Sequence, residues 1–238
     1  MIERPSPNFN VRPAGRPIDM LLLHYTGMQS AEAAIDRLCD PRARVGAHYL
    51  IDEDGTVYRM VAEESRAWHA GVASWAGESD INGCSIGIEL VNPGHEFGYR
   101  PFPDAQMTAL EILSRDILAR HPIPKARVLG HGDVSPARKQ DPGELFDWAR
   151  LAAKNIGLWP RSVSAAEGET LAFGDAGAEV LGLQQGLAQF GYGLAVNGRF
   201  DGGTEAVVTA FQRHFRQQQV DGRADGETRA VLRALKVL

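Results

Sequence analysis

The chain has 238 residues, with 25 Lys and Arg against 30 Asp and Glu and a formal net charge of −5. At 44% hydrophobic and 23% charged it has an ordinary globular composition, which excludes a disordered chain. The acidic balance excludes a broad nucleic-acid-binding face, which needs clustered Lys and Arg, so no nucleic-acid partner is expected.

The opening residues lack the apolar centre of a secretory leader, so a cytoplasmic protein is expected, or one of the periplasm or cell envelope if a leader was trimmed. No stretch approaches the roughly 18 apolar residues of a membrane-spanning helix. Cys39 and Cys84 lie 45 residues apart without CxxC spacing and are expected to be buried thiols.

The short apolar run Asp19-Met20-Leu21-Leu22-Leu23-His24-Tyr25-Thr26, ended by Gly27, predicts a strand buried on both faces. Ser30 is placed to cap a helix through Leu38, stopped at Asp40-Pro41. The runs at 48–51 and 56–60 flank Asp52-Glu53-Asp54-Gly55, the signature of a hairpin, and its acidic residues read as a turn rather than a calcium loop. From Ser85 to Val91 the alternation sets Ile86, Ile88 and Leu90 on one face and Ser85, Gly87 and Glu89 on the other. Met107, Leu110, Leu113 and Ile117 follow helical spacing, with Asp104 as the expected cap and His121-Pro122 as the stop. Strands interleaved with helices make an α/β or α+β domain over residues 1–160.

Periodicity stops near residue 160, and residues 161–168 read as a linker. In the remainder, 169–238, Val196-Asn197-Gly198-Arg199-Phe200-Asp201-Gly202-Gly203-Thr204 returns 24 residues later as Val220-Asp221-Gly222-Arg223-Ala224-Asp225-Gly226-Glu227-Thr228. Each copy supplies glycine for a turn and threonine as a helix cap, and Val180, Leu183, Leu187 and Phe190 supply a preceding amphipathic helix. A small three-helix domain is expected, with a binding role rather than a catalytic one.

His24 ends a buried strand, and His131 follows another apolar run, ten residues before Asp141. The stretch between His131 and Asp141 reads as loop, and spacing alone leaves solvated surface as the ordinary alternative. Two imidazoles and a carboxylate suit zinc and leave a fourth position open for water, as in hydrolytic sites.

Six segments occur in order: Leu22-Leu23-His24-Tyr25-Thr26, Gly46-Ala47-His48-Tyr49-Leu50-Ile51, Ala67-Trp68-His69-Ala70-Gly71, Ser85-Ile86-Gly87-Ile88-Glu89, Gly130-His131-Gly132-Asp133 and Lys139-Gln140-Asp141-Pro142-Gly143. Together they resemble the type 2 N-acetylmuramoyl-L-alanine amidases, a zinc family, across most of residues 15–160. The resemblance implies a central mixed sheet flanked by helices, with one zinc ion held by His24, His131 and Asp141. Glu89 is implied as the proton-transferring residue and Lys139 as the stabiliser of the oxyanion. Trp68, His69 and His48 are expected at the substrate groove, His48 as a wall or structural residue rather than a ligand.

One departure is that Ala47 stands where the phage lysozymes of this family carry a tyrosine that assists catalysis. That places the chain with the recycling and envelope amidases. Most of residues 171–236 resembles the peptidoglycan-binding domain through Leu183-Gln184, Gly191-Tyr192, Asn197-Gly198-Arg199-Phe200, Thr204 and Phe211-Gln212. The implied activity is hydrolysis of the amide between N-acetylmuramic acid, or its anhydro form, and the L-alanine of the stem peptide. Peptidoglycan or muropeptide fragments are the implied partners of a monomeric protein. The rival is a non-catalytic peptidoglycan sensor; such proteins lose a ligand or the base, which this chain keeps. A zinc amidase for another peptide is disfavoured by the wall-binding module.

Overall fold

A computed structural model of the chain describes residues 1–160, 163–164 and 168–235. Of the expected linker, 161–162 and 165–167 lie outside the described residues, as do 236–238.

Burial explains the centre of the sheet. In β3 (Met20–Tyr25) the residues Met20 to Leu23 are all 0% exposed, as an interior strand covered on both faces requires. It runs parallel to β7 (Ser85–Leu90) on one side and β8 (Val128–Gly130) on the other. β4 (Tyr49–Ile51) pairs parallel with β7 and forms the expected antiparallel hairpin with β5 (Val57–Arg59), which also pairs with β1 (Ile2–Glu3). The order β1-β5-β4-β7-β3-β8 makes a mixed six-stranded sheet. β2 (Phe9–Val11) and β6 (Ser65–Ala67) form a separate antiparallel pair.

Register assigns each face its task. Leu21 lies beside Ile86, Leu23 beside Ile88 and Tyr25 beside Leu90. That face is packed by α4 (Asp104–Arg120), through Met107, Leu110, Leu113 and Ile117, and by Trp148 and Leu151 of α6 (Trp148–Ala153). A buried aliphatic side chain contributes about 2 kcal/mol, so these layers account for the sheet's position. The residues between, Met20, Leu22 and His24 paired with Ser85, Gly87 and Glu89, turn to the opposite face.

The helix starts partly match the expectations. Ser30 Oγ accepts from the Ala33 N–H at 3.2 Å and starts α1 (Ala31–Cys39). Asp104 does not cap α4: Pro103 occupies that place, and the Asp104 carboxylate pairs instead with Arg150 at 2.6 Å. Cys84 is buried, but Cys39, at the end of α1, is only partly buried. Three single-turn helices, α2 (Ile81–Cys84), α3 (Gly94–Phe97) and α5 (His131–Val134), adjoin the strands that carry the site.

The remaining helices, α7 (Ala178–Phe190), α8 (Gly202–Phe215) and α9 (Gly226–Leu235), form the helical unit. Its repeat is held by glutamine. Gln184 Oε1 accepts from the Asn197 and Gly198 N–H groups, and its amide donates to the Arg199 carbonyl and Thr204 Oγ1. Gln212 repeats this with Asp221, Gly222, Arg223 and Thr228. The caps are Asp201 and Asp225, which accept from the Thr204 and Thr228 N–H groups at 2.9 Å, so the threonines stand inside the first turn and not at the cap. The unit packs on the second face of the sheet, where Met20, Leu22, Trp75 and Val134 join Val207 and Phe211 in one apolar cluster. Among the described residues no helix is long and apolar enough to cross a membrane.

Candidate metal centre and its cleft

Parallel strands place their site-bearing residues at their carboxyl ends. His24 ends the apolar part of β3, and Glu89 is its register partner on β7, so the imidazole and the carboxylate share one face. The chain after β8 turns into α5 with His131 as its first residue. Asp141 returns to the same place because its carbonyl accepts from the Gly132 N–H at 2.8 Å. Gly130 permits this approach, since a Cβ there would lie 2.6 Å from Pro142 Cδ.

The two histidines and the aspartate converge. His24 Nδ1 lies 3.0 Å from His131 Nδ1 and 3.1 Å from Asp141 Oδ2, and His131 Nδ1 lies 3.2 Å from that oxygen. All three residues are buried, and their donor atoms fall within 4.8 Å of one another.

The neighbours determine which ring nitrogens carry protons. The Ser85 hydroxyl donates to the Ile81 carbonyl at 2.6 Å, so its oxygen accepts from His69 Nε2–H at 3.2 Å. His69 Nδ1 then accepts from His24 Nε2–H at 3.1 Å, which leaves a lone pair on His24 Nδ1. His131 Nε2–H donates to the Ala70 carbonyl at 2.9 Å, leaving a lone pair on its Nδ1 as well. Two lone pairs and a carboxylate oxygen therefore face one another with no donor between them. A cation reconciles that arrangement, and oriented imidazoles are the usual outer support of a metal ligand. Burial, then the neighbouring His131, brings His24 down to about 4, which keeps it neutral and able to ligate.

Glu89 is half-buried, and its Oε2 is enclosed without a hydrogen-bond partner among the described residues. Burial, and then the charge of Asp141, raises its pKa well above the ordinary carboxyl range, while Lys139 acts in the opposite direction. The cleft in front of these residues has a volume of about 550 Å3. His24, Glu89, Lys139 and Trp68 line it, and Arg37 and Arg44 stand on the wall formed by α1 and the loop after it.

His69 reaches the cleft but is only 8% exposed, with both ring nitrogens engaged by His24 and Ser85. Its place is behind the ligand set. The expectation for His48 is corrected. It is 0% exposed, its Nδ1 accepts from the Gly87 N–H at 2.9 Å, and its Nε2 lies 3.1 Å from the Ser65 carbonyl and 2.9 Å from an Arg12 guanidinium nitrogen. Buried and engaged on both sides, it stands behind the cleft as a structural residue and not at its lining.

Three supporting residues escaped the sequence reading. Asn82 Oδ1 accepts from the His69 and Ala70 N–H groups, Arg138 donates to the Ala70 and Val72 carbonyls, and Ser85 closes the chain behind His69. Only Ser85 carried a signal, since alternation puts it on the Glu89 face.

Comparison with known proteins agrees with this geometry. The N-acetylmuramoyl-L-alanine amidase family model matches residues 14–144, and a peptidoglycan binding domain model matches 176–232. The N-acetylmuramoyl-L-alanine amidase AmiD of Escherichia coli is 35% identical over 236 residues, covering 92% of this chain and 82% of the relative. The 1,6-anhydro-N-acetylmuramyl-L-alanine amidase AmpD of Haemophilus influenzae is 37% identical over 163 residues, 61% of this chain and 86% of the relative. The structure of E. coli AmiD in complex with anhydro-N-acetylmuramic acid-L-Ala-D-gamma-Glu-L-Lys superposes with a TM-score of 0.79 at 33% identity, covering 93% of this chain and 90% of that one. AmpDh3 of Pseudomonas aeruginosa in complex with anhydromuramic pentapeptide superposes at 0.78 and 30% identity, covering 94% and 93%. A metal-competent donor set, a carboxylate beside it and a match along almost the whole chain lead to one assignment: the protein belongs to the N-acetylmuramoyl-L-alanine amidase family.

Proposed function

We propose that the chain hydrolyses the amide between N-acetylmuramic acid, in its anhydro form or not, and the L-alanine of peptidoglycan stem peptides. The observation that carries this reading is the register pair His24 and Glu89, which sets an unpartnered carboxylate oxygen beside three converging donors at the floor of the cleft. The relatives bound to anhydromuropeptides support the substrate class.

His24 Nδ1, His131 Nδ1 and Asp141 Oδ2 would hold zinc. When bound, zinc supplies Lewis acidity toward the scissile carbonyl and toward water. Glu89 takes a proton from the attacking water as its oxygen bonds to the carbonyl carbon. The Lys139 ammonium, on the cleft wall, offsets the charge that develops on the carbonyl oxygen. As the C–N bond breaks, Glu89 returns the proton to the alanine nitrogen, leaving a lactyl carboxylate and a free amine. Its raised proton affinity suits both transfers. Trp68 at the rim offers an apolar surface to the sugar or peptide.

The test is release of an L-alanine amino terminus from a soluble anhydromuropeptide and from whole sacculi, run beside metal analysis. Glu89→Gln is expected to lower kcat by about 10²–10⁴-fold with zinc content unchanged. Binding of fragments without cleavage by the zinc-loaded wild type would identify a sensor instead.

A further inference from the structure

The helical unit grips both segments that carry His131 and Asp141. Asp133, two residues after His131, is 3% exposed. Its Oδ2 accepts from the Gly130 N–H at 2.8 Å and from His214 Nδ1–H at 2.7 Å, and its Oδ1 accepts from the Tyr192 hydroxyl at 2.6 Å. His214 and Tyr192 both belong to the helical unit. The His214 ring is fixed between Trp148 and Phe215, each with its centroid 3.7 Å away. Beside Asp141, Arg213 of α8 donates to Gln140 Oε1 at 3.3 Å and lies 3.5 Å from Glu144 Oε2, and Gln217 donates to the Phe146 carbonyl at 2.7 Å. The strip after Ala70, whose carbonyl orients His131, is held as well: the Ala76 N–H donates to the Gly191 carbonyl at 2.7 Å, and Trp75 packs edge-on against Tyr192.

A carboxylate withdrawn from water is tolerated only when its oxygens are supplied with donors. Two of the three donors to Asp133 come from the helical unit. Without them Asp133 must turn toward water, and α5, with His131 as its first residue, must move with it. Metal ligands hold their affinity only while their supports hold their position.

We propose that His214 and Tyr192 are positioning residues for the metal centre. Acting through Asp133, they make the wall-binding unit a structural part of the hydrolytic site as well as a carrier to substrate. This rests on the reading of His131 as a metal ligand.

The test uses the full chain, with zinc affinity measured by competition against a chromogenic chelator and the fold monitored by circular dichroism. Tyr192→Phe removes one hydroxyl and leaves the ring against Trp75. His214→Ala removes the imidazole donor, and His214→Asn places an amide N–H where Nδ1–H stands. Zinc affinity should fall about threefold or more in Tyr192→Phe and about tenfold or more in His214→Ala, and His214→Asn should restore it to within about threefold of the wild type. Gln184→Leu, which strands main-chain groups inside the helical unit and touches neither Tyr192, His214 nor Asp133, should lower Tm and leave zinc affinity unchanged. Should His214→Ala fail to fold, the other variants decide. Unchanged affinity in Tyr192→Phe with none lost in either His214 variant that folds, or equal loss in Gln184→Leu, overturns the proposal. A folded wild type that takes up no zinc refutes the ligand assignment and this proposal with it.

Discussion

His24 presents a lone pair to its neighbours because His69 and Ser85 pass its proton demand to the Ile81 carbonyl. His69 was legible as a residue near the site, but its task was not, since the tautomer depends on Ser85, 16 residues away in the chain, and on a main-chain acceptor. Gly87 belongs to the same assembly: a Cβ there would come within 2.5 Å of the His69 ring. Replacing His69 by Leu removes the acceptor for His24 Nε2–H, so zinc affinity is expected to fall about 10–100-fold, measured by chelator competition. Full retention of zinc would show that His24 needs no such support. His48 shows the converse. The motif brings it near the site, while the Ser65 carbonyl, 17 residues distant, accepts its Nε2–H, and the Gly87 N–H donates to its Nδ1.

At the level of elements, local chemistry carried most of the information. The alternation at 85–91 placed Glu89 on the correct face, and the apolar run at 20–23 was a strand covered on both sides. Helix caps are less legible. Pro103, and not the aspartate after it, stands at the start of α4 with no side-chain cap bond, and the paired aspartates at 201 and 225 outcompete the threonines three residues on. The repeat was plain in sequence, but its two glutamines act only once helix and turn have met. Each of Gln184 and Gln212 satisfies two main-chain N–H groups and one carbonyl. Replacing either by Leu strands those groups and is expected to cost about 1–3 kcal/mol in denaturant unfolding, with similar values for the two because the bonds are the same. A large difference would mean that the two halves are not equivalent in energy.

Acid stability is a property of the whole molecule. Burial, and then Arg12, brings His48 down to about 3, and His24 is brought to about 4. Glu63, against the cost of burial, is held to about 2 by Arg120, His121 and Tyr49. Glu89, with its raised pKa, has the opposite sign but is protonated in both folded and unfolded chains below about 4.5. Between pH 4.5 and 3 the unfolded chain therefore binds protons at the histidines and Glu63 that the folded chain refuses, and stability falls as pH falls. The Tm of chelator-treated protein should drop across that window. A constant or rising Tm would show that these groups are not held as the structure places them.

The strand pairing of the hairpin, the face that Glu89 shares with Ser85 and Gly87, and the helical repeat were legible in short-range periodicity, whereas the donor set and the base candidate were implied by the resemblance of the motifs and not by their spacing. Tertiary structure alone decided which ring nitrogens are free, which histidine is withdrawn from the cleft, and that the helical unit is built into the back of the site. Those outcomes depend on donors and acceptors brought together across the fold, such as Tyr192 on Asp133 over 59 residues and His214 on Asp133 over 81. No local pattern records such a pairing, because its energy exists only when packing has excluded water from both partners.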